Sequence, residues 1–176
     1  KNKDLSFLKS VIVGGDKLVI KVEEQINDFL ASHGSDITVS KGYGMSEVAA
    51  AVCSTSIPEV NKKGSVGIPY HHTIIAAFDP DTGKELPLNE VGEICITGPN
   101  TMIGYFNNEK ETANILRKHD DGLIWVHSGD LGYVDEDGAV FIKGRIKEMI
   151  IRYDGFKVFP ILIEQAINTH PLVKNC

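Results

Sequence analysis

Val11-Ile12-Val13, closed by Gly14-Gly15, constrains this chain more than any other segment. Side chains alternate along a strand, so an unbroken apolar run needs cover on both faces, which is the condition of a buried parallel sheet. The residues that follow change period. Leu18, Val22, Ile26, Phe29 and Leu30 recur at helical spacing, Lys21, Glu23, Glu24 and Asp28 fill the opposite face, and Asp16 is placed to cap the helix. Ile37-Thr38-Val39 then predicts a second strand ending in Gly42-Tyr43-Gly44. Strand, helix, strand is a βαβ unit, so the chain opens as α/β.

From about Gly64 to Gly144 short β-like runs alternate with turn signals. They are Ser65-Val66-Gly67-Ile68, Thr73-Ile74-Ile75, Glu93-Ile94-Cys95-Ile96, Leu131-Gly132-Tyr133-Val134 and Ala139-Val140-Phe141-Ile142. Asp135-Glu136-Asp137-Gly138 between the last two is hairpin chemistry. One helix interrupts the series, because Asn108 and Glu111 form a capping box that carries a helix to about Arg117. Such a β-rich stretch predicts a small, distorted barrel or sandwich. Beyond Arg145, Met149-Ile150-Ile151 is a strand, Tyr153-Asp154-Gly155 a turn, and Pro160 suits the first position of a helix whose apolar stripe is Leu162, Ile163, Ala166 and Ile167.

Composition narrows the function classes. At 42% hydrophobic and 24% charged, the 176 residues carry too much apolar material for a disordered tail. No run approaches the roughly 20 apolar residues of a membrane span. A net charge of −6 argues against a nucleic-acid-binding module, which shows a basic surplus. Cys53, Cys95 and Cys176 are odd in number and far apart, as expected for reduced thiols of a cytoplasmic protein with no zinc site. Cys53, Cys95 and Trp125 read as packing residues.

Gly42-Tyr43-Gly44-Met45-Ser46-Glu47 is the first segment that suggests chemistry. Flanking glycines let a flat base approach the tyrosine ring, while the serine and the carboxylate suit a phosphate oxygen and a Mg²⁺ ion. Alone, the segment reads first as a tight turn whose exposed carboxylate caps the next helix. Asp130 after Ser128-Gly129 could likewise be an ordinary turn residue, and Arg145 with Lys147 a solvated linker face.

Taken in order, the segments resemble one family. Gly14-Gly15-Asp16-Lys17-Leu18, Gly42 to Glu47, Gly92-Glu93-Ile94-Cys95-Ile96-Thr97-Gly98, Gly104-Tyr105-Phe106, His127-Ser128-Gly129-Asp130-Leu131-Gly132, Gly144-Arg145-Ile146-Lys147-Glu148 and Gly155-Phe156 follow one another as in the adenylate-forming enzymes. The resemblance, strongest to acyl- and aryl-CoA synthetases, runs from Val11 to Val173. It implies a ligase that joins a small carboxylate to ATP, releases pyrophosphate, and passes the acyl group from AMP to coenzyme A or to a carrier protein's phosphopantetheine. By the same resemblance, Gly14 and Gly15 line the adenine and acyl sites, and Tyr43, next to Gly44, stacks on adenine. Ser46 bonds a phosphate, Glu47 holds Mg²⁺, and Asp130 takes the ribose hydroxyls. Arg145 contacts ribose or phosphate, Lys147 is the hinge of a mobile C-terminal domain, and Gly155 lies on the coenzyme A side.

The resemblance further implies a phosphate loop upstream of Gly14 and a lysine near the end of the C-terminal domain, neither of which lies in this sequence. Lys41 stands where relatives often carry Asp, Asn or Gln. The expectation is therefore a C-terminal-side fragment, inactive in adenylation by itself. Residues 1–58 would end an α/β nucleotide-binding subdomain, 59–145 would form a β-barrel subdomain, and 146–176 would begin a small α+β domain. A non-catalytic nucleotide-binding or scaffolding module is the alternative of another class.

Overall fold

The computed structural model describes residues 3–15, 18–57, 61–168, 170 and 172–173. Asp16, the expected cap, Pro58 and Glu59 at the expected domain boundary, Cys176, and the side chain of Leu162 lie outside what it describes.

The chain opens with the expected βαβ unit. Strand β1 (Val11–Val13) runs parallel to β2 (Val39–Met45), and α1 (Ile20–Ser32) crosses between them. Two details differ from the sequence expectation. The strand does not end at the glycines: β2 continues through Gly42-Tyr43-Gly44 because β3 (Ala50–Ser54) pairs with it antiparallel and satisfies its backbone. The apolar stripe of α1 is also not fully covered. Leu30 is buried, but Val22, Phe29 and, on β1, Ile12 are exposed among the described residues. The helix docks on β2 chiefly through polar groups, with Asn27 Oδ1 accepting from Val39 N–H at 2.8 Å and Glu23 bonded to Lys41.

Strand β4 (Ile68–Pro69) completes this first sheet against β3. The second sheet is built from β5 (Ile74–Phe78), β6 (Gly92–Thr97), β7 (Leu116–Lys118), β8 (Ile124–Val134) and β9 (Val140–Arg145). Its order is β5-β6-β8-β7, with β9 also on β8, and all pairs are antiparallel. The 11-residue β8 serves two neighbours in succession, β7 on its first half and β9 on its second. The sheet stays open, so the β-rich region is not a closed barrel. Helix α2 (Glu109–Ile115) precedes β7, and Asn108 caps it as expected, its side chain accepting from Glu111 N–H at 3.2 Å.

Gly67 joins the two sheets. Its bridge to Val140 brings it so close to β3 that an added Cβ would sit 1.9 Å from the Ser54 carbonyl carbon, at a φ of 98°. Only glycine fits there. The main core lies between the sheets, where Val48, Val52 and Cys53 meet Ile75, Ala77, Ile94, Ile96, Val126, Val134 and Val140. The opposite face of the second sheet buries Ala76, Phe78, Cys95 and Trp125. Alternation along β5, β6 and β8 therefore feeds two cores, and Cys53, Cys95 and Trp125 are packing residues as read. After β9 come a short hairpin, β10 (Ile150–Ile151) with β11 (Lys157–Val158), and α3 (Pro160–Asn168), which starts at Pro160 as expected.

Asp135 closes the β8–β9 hairpin. Its Oδ1 accepts from the N–H groups of Asp137 and Ala139 at 3.0 and 2.9 Å, while Oδ2 takes Lys62. Burial works to raise its pKa, but Lys62 and the turn N–H groups outweigh that and hold it below the ordinary 3.8. A lowered folded-state pKa contributes stability above the unfolded value that disappears as pH falls through the folded one. Urea midpoints should therefore drop on acidification below about pH 4, and Asp135→Asn should be less stable at neutral pH with a flatter acid limb. An acid limb unchanged by the substitution would place the titrating groups elsewhere.

Candidate active site

The site begins with the side-chain alternation of β2. Val39, Lys41 and Tyr43 share one strand face. From there the Tyr43 hydroxyl reaches the second sheet and donates to Asp130 Oδ2 at 2.7 Å. Asp130 and Arg145 are direct cross-strand partners on β8 and β9, and Arg145 Nε donates to Asp130 Oδ1 at 3.0 Å. The carboxylate is mostly buried, the guanidinium largely exposed. Burial and then the Asp130 charge push the Tyr43 phenol far above its ordinary pKa, so it remains the donor. Each carboxylate oxygen keeps a second acceptor site, available to a ligand hydroxyl.

Tyr43, Asp130 and Arg145 lie on the wall of a cleft of about 1020 Å³ between the first sheet, β8–β9 and α3. Gly15 and Gly44 line the same cleft. That volume is at the top of the range of ordinary ligand and cofactor pockets, roughly 300–1,000 Å³. Lys41, Lys63 and Lys143 also face it, but two of these lysines are already paired: Lys41 with Glu23 at 2.9 Å and Lys63 with Glu24 at 2.7 Å. Tyr133 and Phe141 stack face to face at 4.7 Å on the same wall, with Lys143 Nζ 5.1 Å from the Tyr133 ring centre.

The other sequence candidates stand apart from this wall. Gly14 backs onto β2, where an added Cβ would meet the Gly42 carbonyl oxygen at 3.5 Å. Ser46 and Glu47 open the single 3-10 turn between β2 and β3. Glu47 Oε1 accepts from the Tyr105 hydroxyl, a bond that pushes Tyr105 up to about 12. Its partly exposed carboxylate suits Mg²⁺, which takes one or two carboxylates and fills its remaining positions with water and phosphate oxygens. Lys147 is exposed in a second 3-10 turn directly after β9, and Gly155 occupies the β10–β11 turn at a φ of 82°.

Sequence reading missed a buried polar cluster next to the site. Glu93 Oε2 bonds His127 Nδ1 at 2.8 Å, and His127 Nε2 meets His119 Nε2 at 2.9 Å. The donor atoms of Glu93, Cys95 and His127 lie within 4.8 Å of one another, a spacing that would also suit a metal ion. Burial, with Glu93 adding to it, pushes the Cys95 thiol up, so it keeps its proton as an isolated group. The signal was a glutamate inside the otherwise uncharged strand Gly92–Thr97.

The chain is similar to known proteins of one family. The family described as AMP-binding enzyme matches residues 1–106. A probable 4-coumarate–CoA ligase 1 of Dictyostelium discoideum is 39% identical over 97% of this chain and 29% of its own length. The 4-coumarate–CoA ligase 1 of Oryza sativa subsp. japonica is 38% identical over the same shares, 97% and 29%. Among solved structures, ATP-bound MatB from Rhodopseudomonas palustris superposes with a TM-score of 0.80 at 33% identity, over 95% of this chain and 31% of that one. The o-succinylbenzoate CoA synthetase of Bacillus subtilis, in complex with its acyl-adenylate intermediate, gives a TM-score of 0.80 at 28% identity, over 99% and 34%. The chain spans about a third or less of each of these proteins.

Proposed function

Because the chain belongs to the AMP-binding, adenylate-forming enzyme family, we propose that it supplies the nucleotide-facing wall of an ATP-dependent acid–thiol ligase. In the first half-reaction a carboxylate oxygen attacks the α-phosphorus of ATP, and the bond to pyrophosphate breaks. In the second, a coenzyme A thiol adds to the acyl carbonyl and AMP leaves. The observation that carries this reading is Asp130, held on the cleft wall between Tyr43 and Arg145 with both oxygens positioned.

The roles proposed are those the family resemblance implies, supported at Tyr43, Gly44, Gly15, Asp130 and Arg145 by their shared cleft wall. Asp130 receives the ribose hydroxyls, each a charge-assisted bond of about 1.5–3 kcal/mol. The Tyr43 ring, with Gly44 and Gly15 lining the same cleft, offers a flat face to the base. Arg145, permanently charged, reaches ribose or phosphate from its exposed position. Ser46 bonds a phosphate oxygen and Glu47 holds Mg²⁺, whose charge would offset that developing on the leaving pyrophosphate. Lys147, exposed just after β9, is the hinge, and Gly155 lies on the thiol side.

The relatives' names make a 4-coumarate-like aromatic acid the first substrate to try. The native full-length protein should catalyse ATP–pyrophosphate exchange dependent on an added carboxylate and should form a thioester with coenzyme A. Thioester formation only on a phosphopantetheine carrier protein would move the acceptor assignment. Exchange with no carboxylate across aromatic and aliphatic panels would overturn the ligase reading.

A further inference from the structure

Strands β6 and β8 slip in register beside the site. Glu93 faces Leu131 but Cys95 faces His127, so β8 advances four residues where β6 advances two. The surplus bulges out as Ser128-Gly129-Asp130, with Gly129 at a φ of 72°. A bulge removes ladder partners from backbone N–H groups, and an orphan in this interior is costly. Side chains supply the missing partners. Gly129 N–H donates to Glu93 Oε1 at 3.0 Å, Asp130 N–H donates to Ser128 Oγ at 3.0 Å, and Ser128 Oγ donates to the Ile94 carbonyl at 2.6 Å.

Glu93 is itself held. Its second oxygen bonds His127 Nδ1, and both residues are less than 7% exposed, at 6% and 4%. Burial works to raise the Glu93 pKa, but the bonds from His127 and Gly129 N–H outweigh it and keep the carboxylate ionised below its usual range. Neither residue lines the cleft. Glu93 bonds the bulge at Gly129, His127 holds Glu93, and the residue at the end of that bulge is Asp130.

We propose that Glu93 and His127 are positioning residues for Asp130, Glu93 gripping the Ser128–Asp130 bulge and His127 holding Glu93, so that the carboxylate faces Tyr43 and Arg145. The inference rests on the nucleotide role given to Asp130, and one experiment separates the two. Isotopic ATP–pyrophosphate exchange is measured in the native full-length protein for Glu93→Ala, Asp130→Ala and the double variant, with melting temperatures alongside. Glu93→Ala should raise the KM for ATP about tenfold with a smaller change in kcat. Glu93→Gln, which keeps an oxygen for Gly129 N–H, should recover most of that loss. In the Asp130→Ala background the Glu93 effect should disappear, because the residue being positioned is gone. A Glu93→Ala effect that adds in full to Asp130→Ala, or a lowered melting temperature with an unchanged KM, overturns the positioning role. An Asp130→Ala variant with normal exchange instead overturns the nucleotide role on which it rests. Should Glu93→Ala fail to fold, His127→Gln carries the same cycle and the same KM criterion, and Glu93→Gln remains the variant expected to stay near the parent KM.

Discussion

Asp130→Ala should lower ATP–pyrophosphate exchange in the native full-length protein by between about tenfold and a thousandfold. Two charge-assisted bonds at roughly 1.5–3 kcal/mol each set the upper range, and water entering the vacated space offsets part of it. The loss should fall on the KM for ATP, since a ribose contact is made before and during the transition state alike. Two further consequences separate this from general damage. Arg145 loses the carboxylate at 3.0 Å that orients it, and the Tyr43 hydroxyl loses its partner at 2.7 Å. Tyr43→Phe should therefore be much milder than Asp130→Ala, because it removes the hydroxyl but leaves both the ring and the ribose acceptor. Equal losses in the two variants would assign the effect to their mutual bond, and unchanged exchange in Asp130→Ala would refute the role.

Which parts of this molecule were legible in the sequence follows from the range of the interactions involved. Helix α2 was readable because Asn108 and Glu111 act within one turn, and the β8–β9 hairpin because Asp135 to Gly138 close it locally. The course of β2 was less so. Gly42-Tyr43-Gly44 looks like a loop to any local rule, and only pairing with β3 keeps it extended. The stripe of α1 was legible as a pattern but not as burial, since Val22 and Phe29 are exposed and polar contacts dock the helix instead. The site has the longest range of all. Tyr43 and Asp130 are 87 positions apart, so periodicity and spacing are silent on their meeting. Family resemblance proposed both residues for one nucleotide, and the fold places them in contact. The Glu93–His127 pair had no such help. A buried glutamate is visible in sequence only as a charge in the wrong place, and its partner, 34 positions on, is visible only in three dimensions.

Glu47→Ala should produce the second large loss, at least tenfold in exchange, for a reason that stability cannot mimic. Among the described residues its side chain bonds the exposed Tyr105 hydroxyl, so the variant should melt close to the parent protein. That same bond bears on how the carboxylate takes a cation. Tyr105 is pushed up to about 12 chiefly by the hydrogen bond to Glu47, so the phenol occupies Oε1 throughout the neutral range. A cation at Glu47 would take the other oxygen, or share Oε1 with the tyrosine through its second lone pair. Exchange measured against Mg²⁺ concentration resolves this. Glu47→Ala should need more Mg²⁺ at its half-maximum and still fall short of the parent rate, whereas Tyr105→Phe, with Oε1 released, should need no more Mg²⁺ than the parent. If Glu47→Ala leaves the Mg²⁺ dependence unchanged, the residue is a surface partner of Tyr105 and the cation belongs elsewhere. If Tyr105→Phe shifts the dependence to higher Mg²⁺, the tyrosine orients Glu47 for the ion rather than competing with it.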